Sequence, residues 1–204
     1  MGLLSLFSKP KPEEVCVSIA KKISAVAHEY RREIDVKNDN QSINVGAEML
    51  YLLLNLVDKQ SFKMLGAVRR DEIFDDISQF AIIQYGFDAY GKGSTSAGSL
   101  LDQNYNQMLT TLDARQSIYG QCTSLAGDSF PSAGTMIFAF SYYVHRALGH
   151  AKEINVDDML TCKRRIEMSD LDNFPDLPET LDISISVGKK VESLRFDKDL
   201  KNLK

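Results

Sequence analysis

The sequence predicts an all-α, single-domain bundle of about six or seven helices, with room for one short C-terminal strand or extended segment. Three observations predict it. Apolar residues recur three and four apart along several long segments, the period of a half-buried helix. Two segments, Met49–Val57 and Met136–Val144, are apolar nearly all round, as expected of helices at the centre of a bundle. Strict alternation is confined to Ile183, Ile185 and Val187, separated by Ser184 and Ser186.

Leu3, Leu4, Leu6 and Phe7 form an apolar N-terminal arm, cut from the first helix by Pro10 and Pro12. That helix opens after Pro12, with Glu13 and Glu14 at its positive end. Val15, Ile19, Ile23, Val26, Tyr30 and Ile34 make its apolar stripe. The polar run Asp35 to Asn44 predicts a loop. A second helix is expected from Ser42 or Asn44 to Lys59, and a separate short piece from Ser61 to Leu65, stopped by Gly66.

A third helix over Ala67 to Phe87 directs Phe74, Ile77, Phe80, Ala81 and Tyr85 inward. Gly91 to Ser99 reads as a flexible, glycine-rich connection. A fourth helix runs from there to about Ile118, with Tyr105, Met108, Leu109 and Leu112 on one side. Gly120 to Ser132 is irregular, and a fifth helix from Ser132 to Leu148 is ended by Gly149. A shorter helix opens at Asn155 and closes on Lys163, Arg164 and Arg165. The acidic stretch Ser169 to Asp182 contains Pro175 and Pro178, and beyond it strand and helical periods compete. These features divide the chain into an arm (1–12), a helical domain (13–168) and an acidic, proline-containing segment with a C-terminal tail (169–204).

Composition restricts the function. A net charge of −4 with 24 Lys and Arg argues against a nucleic-acid interface, whose affinity comes from clustered cations. Neither apolar segment approaches the roughly 20 residues that cross a bilayer. Cys16, Cys122 and Cys162 lie far apart without a C-x-x-C pair, so reduced thiols in a cytoplasmic protein are expected, with no metal and no cofactor.

Several motifs come close and fail. Gly86, Gly91 and Lys92 have phosphate-loop spacing, but Gly93 stands where a hydroxyl should hold magnesium, so an interhelical loop is the better reading. His145 and His150 are five apart and cannot ligate one ion from one helical face. Asp170 begins like a calcium loop, without the glycine or the closing glutamate. No serine sits in a nucleophile elbow.

Two sets of candidate residues remain. Tyr142, His145 and Arg146 are the densest group of chemically capable side chains on the 132–148 helix, and could hold an anion and move a proton. Leu3, Leu4, Leu6 and Phe7 in the arm, with Ile183, Ile185 and Val187, could meet a partner. The expectation is a non-catalytic cytoplasmic interaction module, such as an adaptor, a regulatory subunit or an immunity-type inhibitor. Its partner would be another protein or a second copy, with peripheral membrane contact through the arm a weaker option. The alternative is a small-ligand-binding protein or enzyme using the Tyr142–His145–Arg146 face. A deep pocket would favour the alternative, and a contiguous exposed apolar patch the interaction module.

Overall fold

A computed structural model describes residues 10–90, 97–122, 125, 135–149, 191 and 194–203. The apolar arm, the 91–96 segment, the helix expected at Asn155 and the Ile183–Val187 alternation lie outside the described residues. The fold is all-α. Helices α1 (Pro12–Glu33), α2 (Asp39–Leu65), α3 (Ala67–Tyr90), α4 (Ala97–Gln121) and α5 (Met136–Ala147) are followed by a short α6 (Phe196–Leu200) and a 3₁₀ turn, Lys201–Leu203. No helix among the described residues is long and apolar enough to cross a membrane.

Helix α1 starts as its sequence dictates. Pro12 occupies the first turn, and the Glu14 carboxylate accepts the Lys11 backbone amide at 3.0 Å. Its stripe buries Val15, Ile19, Ile23 and Tyr30, and the face is widened by Cys16, Ala20 and Ala27. α1 and α3 run in the same direction. His28, late in α1, stacks on Tyr85, late in α3, with ring centroids 4.6 Å apart.

Helix α2 is the central element, and it is longer at both ends than its sequence suggests. It begins at Asp39 because the Asn38 side chain accepts the Gln41 amide at 3.0 Å, capping the helix inside the expected loop. It runs unbroken through Ser61 to Leu65, so the expected separate piece is its last turn. Gly66, at φ 79°, supplies the left-handed residue that ends it. Met49, Leu50, Leu52, Leu53, Leu54 and Val57 are fully buried, which puts α2 at the centre as its all-round apolarity implies.

α3, α4 and α5 also depart from their expected bounds. α3 continues to Tyr90, so Gly86 and its neighbours are helical, and the Ile82–Tyr85 stretch is not the strand that a phosphate loop requires. Phe80, expected inside, is 37% exposed, and the interior positions are Ile73, Phe74, Ile77, Ala81, Ile82 and Tyr85. α4 already includes Ala97–Ser99 and reaches Gln121. α5 begins at Met136 rather than Ser132, since the Thr135 hydroxyl accepts the Phe138 amide and sets the start there. Residues 196–203, grouped by sequence with the tail, pack Phe196, Leu200 and Leu203 against the bundle, and Asp199 pairs with Lys22 of α1 at 2.7 Å.

One ridge of α2 is not apolar. Glu48, Tyr51, Asn55 and Lys59 recur at helical spacing along it, and three of them meet Thr111, Arg115 and Tyr119 of α4. This polar seam opens the bundle on one side.

Candidate functional site

A large hollow lies along this seam. It has a volume of about 610 Å³ and is walled by four helices. α2 contributes Asn44, Glu48 and Tyr51; α3 contributes Tyr85 and Tyr90; α4 contributes Asn104, Gln107 and Arg115; α5 contributes Tyr143 and Arg146. Its size falls within the ordinary range for small-molecule sites, about 300–1,000 Å³.

The floor is an ion pair. Arg115 makes a bidentate contact with Glu48, Nε and Nη2 donating to the two carboxylate oxygens at 2.8 and 2.6 Å. The guanidinium lies 3.4 Å from the centre of the Tyr143 ring. Burial works against the Arg115 charge, but its hydrogen bonds to Glu48 and the adjacent negative charge outweigh burial and hold its pKa above the ordinary value. The Arg115 charge is thereby held in place beside the Glu48 carboxylate.

The phenols around the hollow stay protonated. Burial pushes Tyr51, Tyr85, Tyr90 and Tyr143 up from the ordinary tyrosine pKa, with Glu48 adding to the shift at Tyr51 and Tyr143. They can donate and accept hydrogen bonds but do not serve as bases near neutral pH. Tyr85 donates to the Ile43 carbonyl at 2.6 Å, and its hydroxyl fits only because residue 46 is glycine: a Cβ there would overlap that hydroxyl and lie 3.1 Å from the Ala27 carbonyl. Thr110 and Thr111 donate to the Asn106 and Gln107 carbonyls at 3.0 and 2.9 Å, so neither is poised as a nucleophile. Among the described residues, no group of three or more His, Cys, Asp or Glu side chains is arranged to hold a metal.

α5 divides the candidate triplet. Tyr142 and His145 are buried at 5% and 1% exposure and do not line the hollow, whereas exposed Arg146 does. Its partner at the wall is Tyr143, one place along from the residue singled out by sequence. Sequence reading missed Glu48 and Arg115. They stand 67 residues apart, and only the mid-helix carboxylate at Glu48, inside an apolar run, hints at a buried partner.

A second hollow of about 390 Å³ lies on the other side of Asn104 and Met108. It is apolar, walled by Ile82, Ile83, Gly86 and Phe87 of α3 and by Tyr105 of α4. Next to it, Phe80, Ile83, Phe87 and Tyr90 are 37%, 55%, 59% and 37% exposed. Their spacing of three, four and three makes one ridge along the outer face of α3. Towards the start of the helix the exposed residues become Asp71, Glu72, Asp75 and Asp76. Arg70 and Arg69 pair with Asp71 and Glu72 at 2.6 and 2.8 Å, while Asp75 and Asp76 make no ion pair among the described residues.

Cys16 and Cys122 are buried free thiols. Burial raises both pKa values, Cys16 to about 11, which makes them poor nucleophiles. Cys162, Leu3, Leu4, Leu6, Phe7, Ile183, Ile185 and Val187 lie outside the described residues. Comparison with protein-family models, with curated proteins and with solved structures finds no match for this chain.

Proposed function

We propose that this protein is a non-catalytic interaction module whose docking face is the outer side of α3, and that it receives an amphipathic helix from a partner protein. The observation that carries the reading is the contiguous exposed ridge Phe80–Ile83–Phe87–Tyr90 beside an apolar hollow of about 390 Å³. Side chains of this size are costly to leave in water, about 1.5–3 kcal/mol each relative to full burial. A ridge flanked by a groove is the surface into which the apolar stripe of another helix fits.

Charge defines the partner further. Beyond the ridge, Asp75 and Asp76 carry negative charge with no ion-pair partner among the described residues. A helix with Lys or Arg beyond one end of its apolar stripe satisfies both parts of the face, and its binding weakens with added salt. A second copy of the chain, itself at net charge −4, would lack that complementarity when docked in parallel.

The test places a photo-reactive phenylalanine analogue at position 83 of the full chain in its native cells and maps the cross-linked peptides. Cross-links to a basic, amphipathic segment of another protein support the reading. Cross-links confined to a second copy, or to residues 1–9 of the same chain, overturn it, and so does their absence.

A further inference from the structure

We infer that the larger hollow is a binding site for a small organic anion, with its carboxylate or phosphate on Arg146 and a planar, hydrogen-bonding body among the tyrosines and amides. This inference is independent of the docking face on α3.

The wall groups divide into those already engaged and those that are not. Glu48 and Arg115 are engaged with each other, and Tyr85, Thr110 and Thr111 with backbone carbonyls. The remaining wall groups include the guanidinium of Arg146, the amides of Asn44, Asn104 and Gln107, and the hydroxyl of Tyr90. None of these five makes a hydrogen bond or ion pair to another described residue through its side chain. They therefore present donors and acceptors to whatever fills the hollow.

Charge selects the ligand class. Two arginines and one glutamate line the hollow, leaving one positive charge in excess in a chain that is negative overall. Because Glu48 neutralises Arg115, the excess resides on Arg146. Arg31 lies near enough to Tyr85 and Tyr90 to offset part of the rise that burial imposes on both phenols, which adds positive potential behind that wall. An anionic head group is thus favoured, and a cation is repelled. The walls contain four tyrosine rings, Tyr143 covered on one face by Arg115 and Tyr85 by His28, so a flat ring gains contact area chiefly from Tyr51 and Tyr90. The three amides reward hydroxyl, carbonyl or ring-nitrogen substituents.

Among the described wall groups the phenols are protonated, the Glu48 carboxylate is engaged by Arg115, and His145 is outside the wall.

The experiment is isothermal titration calorimetry on the full chain with four probes: phenyl phosphate, benzoate, inorganic phosphate and benzyl alcohol. Saturable binding of phenyl phosphate or benzoate is expected, and whichever binds more tightly identifies the head group. Benzyl alcohol and inorganic phosphate should bind at least tenfold more weakly. Arg146→Gln, at an exposed position, should weaken the better probe about tenfold, the worth of one charge-assisted hydrogen bond. Gln107→Leu, also exposed, should weaken the aromatic probes several-fold without affecting inorganic phosphate. No saturable binding of either aromatic anion overturns the inference, as does an unchanged affinity in Arg146→Gln. Inorganic phosphate binding as tightly as phenyl phosphate would also overturn it, reducing the site to an anion contact.

Discussion

The two sides of α2 are built on opposite principles. Met49, Leu50, Leu52, Leu53, Leu54 and Val57 fill the interior without a polar atom on their side chains apart from sulfur. The ridge of Glu48, Tyr51, Asn55 and Lys59 instead meets α4 through an ion pair, hydroxyls and a lysine donating to the Tyr119 carbonyl at 2.8 Å. Apolar packing closes space, because every gap forfeits contact energy. A polar seam holds helices at the distances its hydrogen bonds require, and hollows survive beside it. The difference accounts for a hollow that follows the α2–α4 seam and is closed by α3 and α5.

The sharpest way to break this contrast is to remove one partner of the seam. Glu48→Ala leaves Arg115 largely buried with no counter-charge, and stability should fall by about 3 kcal/mol, read as a lower urea midpoint. Replacing both partners, Glu48→Leu with Arg115→Met, should restore most of that loss, since paired apolar groups leave no charge uncompensated. A double variant as unstable as the single one would mean that the seam contributes packing rather than charge pairing.

A second prediction probes the apolar side through pH. Burial raises the Cys16 thiol from 9.0 to about 11, so the folded protein holds that proton more tightly than the unfolded chain. The associated stability is complete below pH 9 and is lost as pH rises through 11, by about 2–3 kcal/mol in total. Cys16→Ala should remove this part of the alkaline slope, leaving what the buried phenols contribute. Identical slopes for the two proteins would show that water reaches the thiol in the folded state.

Between the two sides stands Gly46. A methyl group there would displace the Tyr85 hydroxyl from the Ile43 carbonyl, so Gly46→Ala should cost about 1–3 kcal/mol despite the better helix propensity of alanine. Adding Tyr85→Phe should recover part of the loss, because the clashing atom is gone. If the losses instead simply add, the helix backbone gives way and the hydroxyl is not the obstacle.

Much of this architecture was legible in the sequence, and the exceptions share a physical cause. The central helices announced themselves because no other arrangement hides Met49–Val57 or Met136–Val144. The start of α2 did not: Asp35, Asn38, Asp39 and Asn40 can all cap a helix, and only the fold selects Asn38. The phase of α3 was equally ambiguous. Phe74, Ile77, Ala81 and Tyr85 make one stripe, Phe80, Ile83, Phe87 and Tyr90 make another, and neighbouring helices decide which is covered. Arg146, singled out by its chemistry, lines the hollow, but Glu48 and Arg115, distant in the chain, left no local spacing to read.

The smallest expected effect separates folding from docking on α3. Ile83 and Phe87 are more than half exposed, so Ile83→Ser and Phe87→Ser remove little buried area from the folded protein. Stability should change by no more than about 0.5 kcal/mol, against the large loss from Glu48→Ala. Residues kept apolar at the surface without stabilising the fold point to contacts made elsewhere. Urea titration of the two serine variants checks this directly. If either unfolds at a midpoint well below the parent, its side chain supports the α3–α4 packing, and the ridge belongs to the core rather than to a partner.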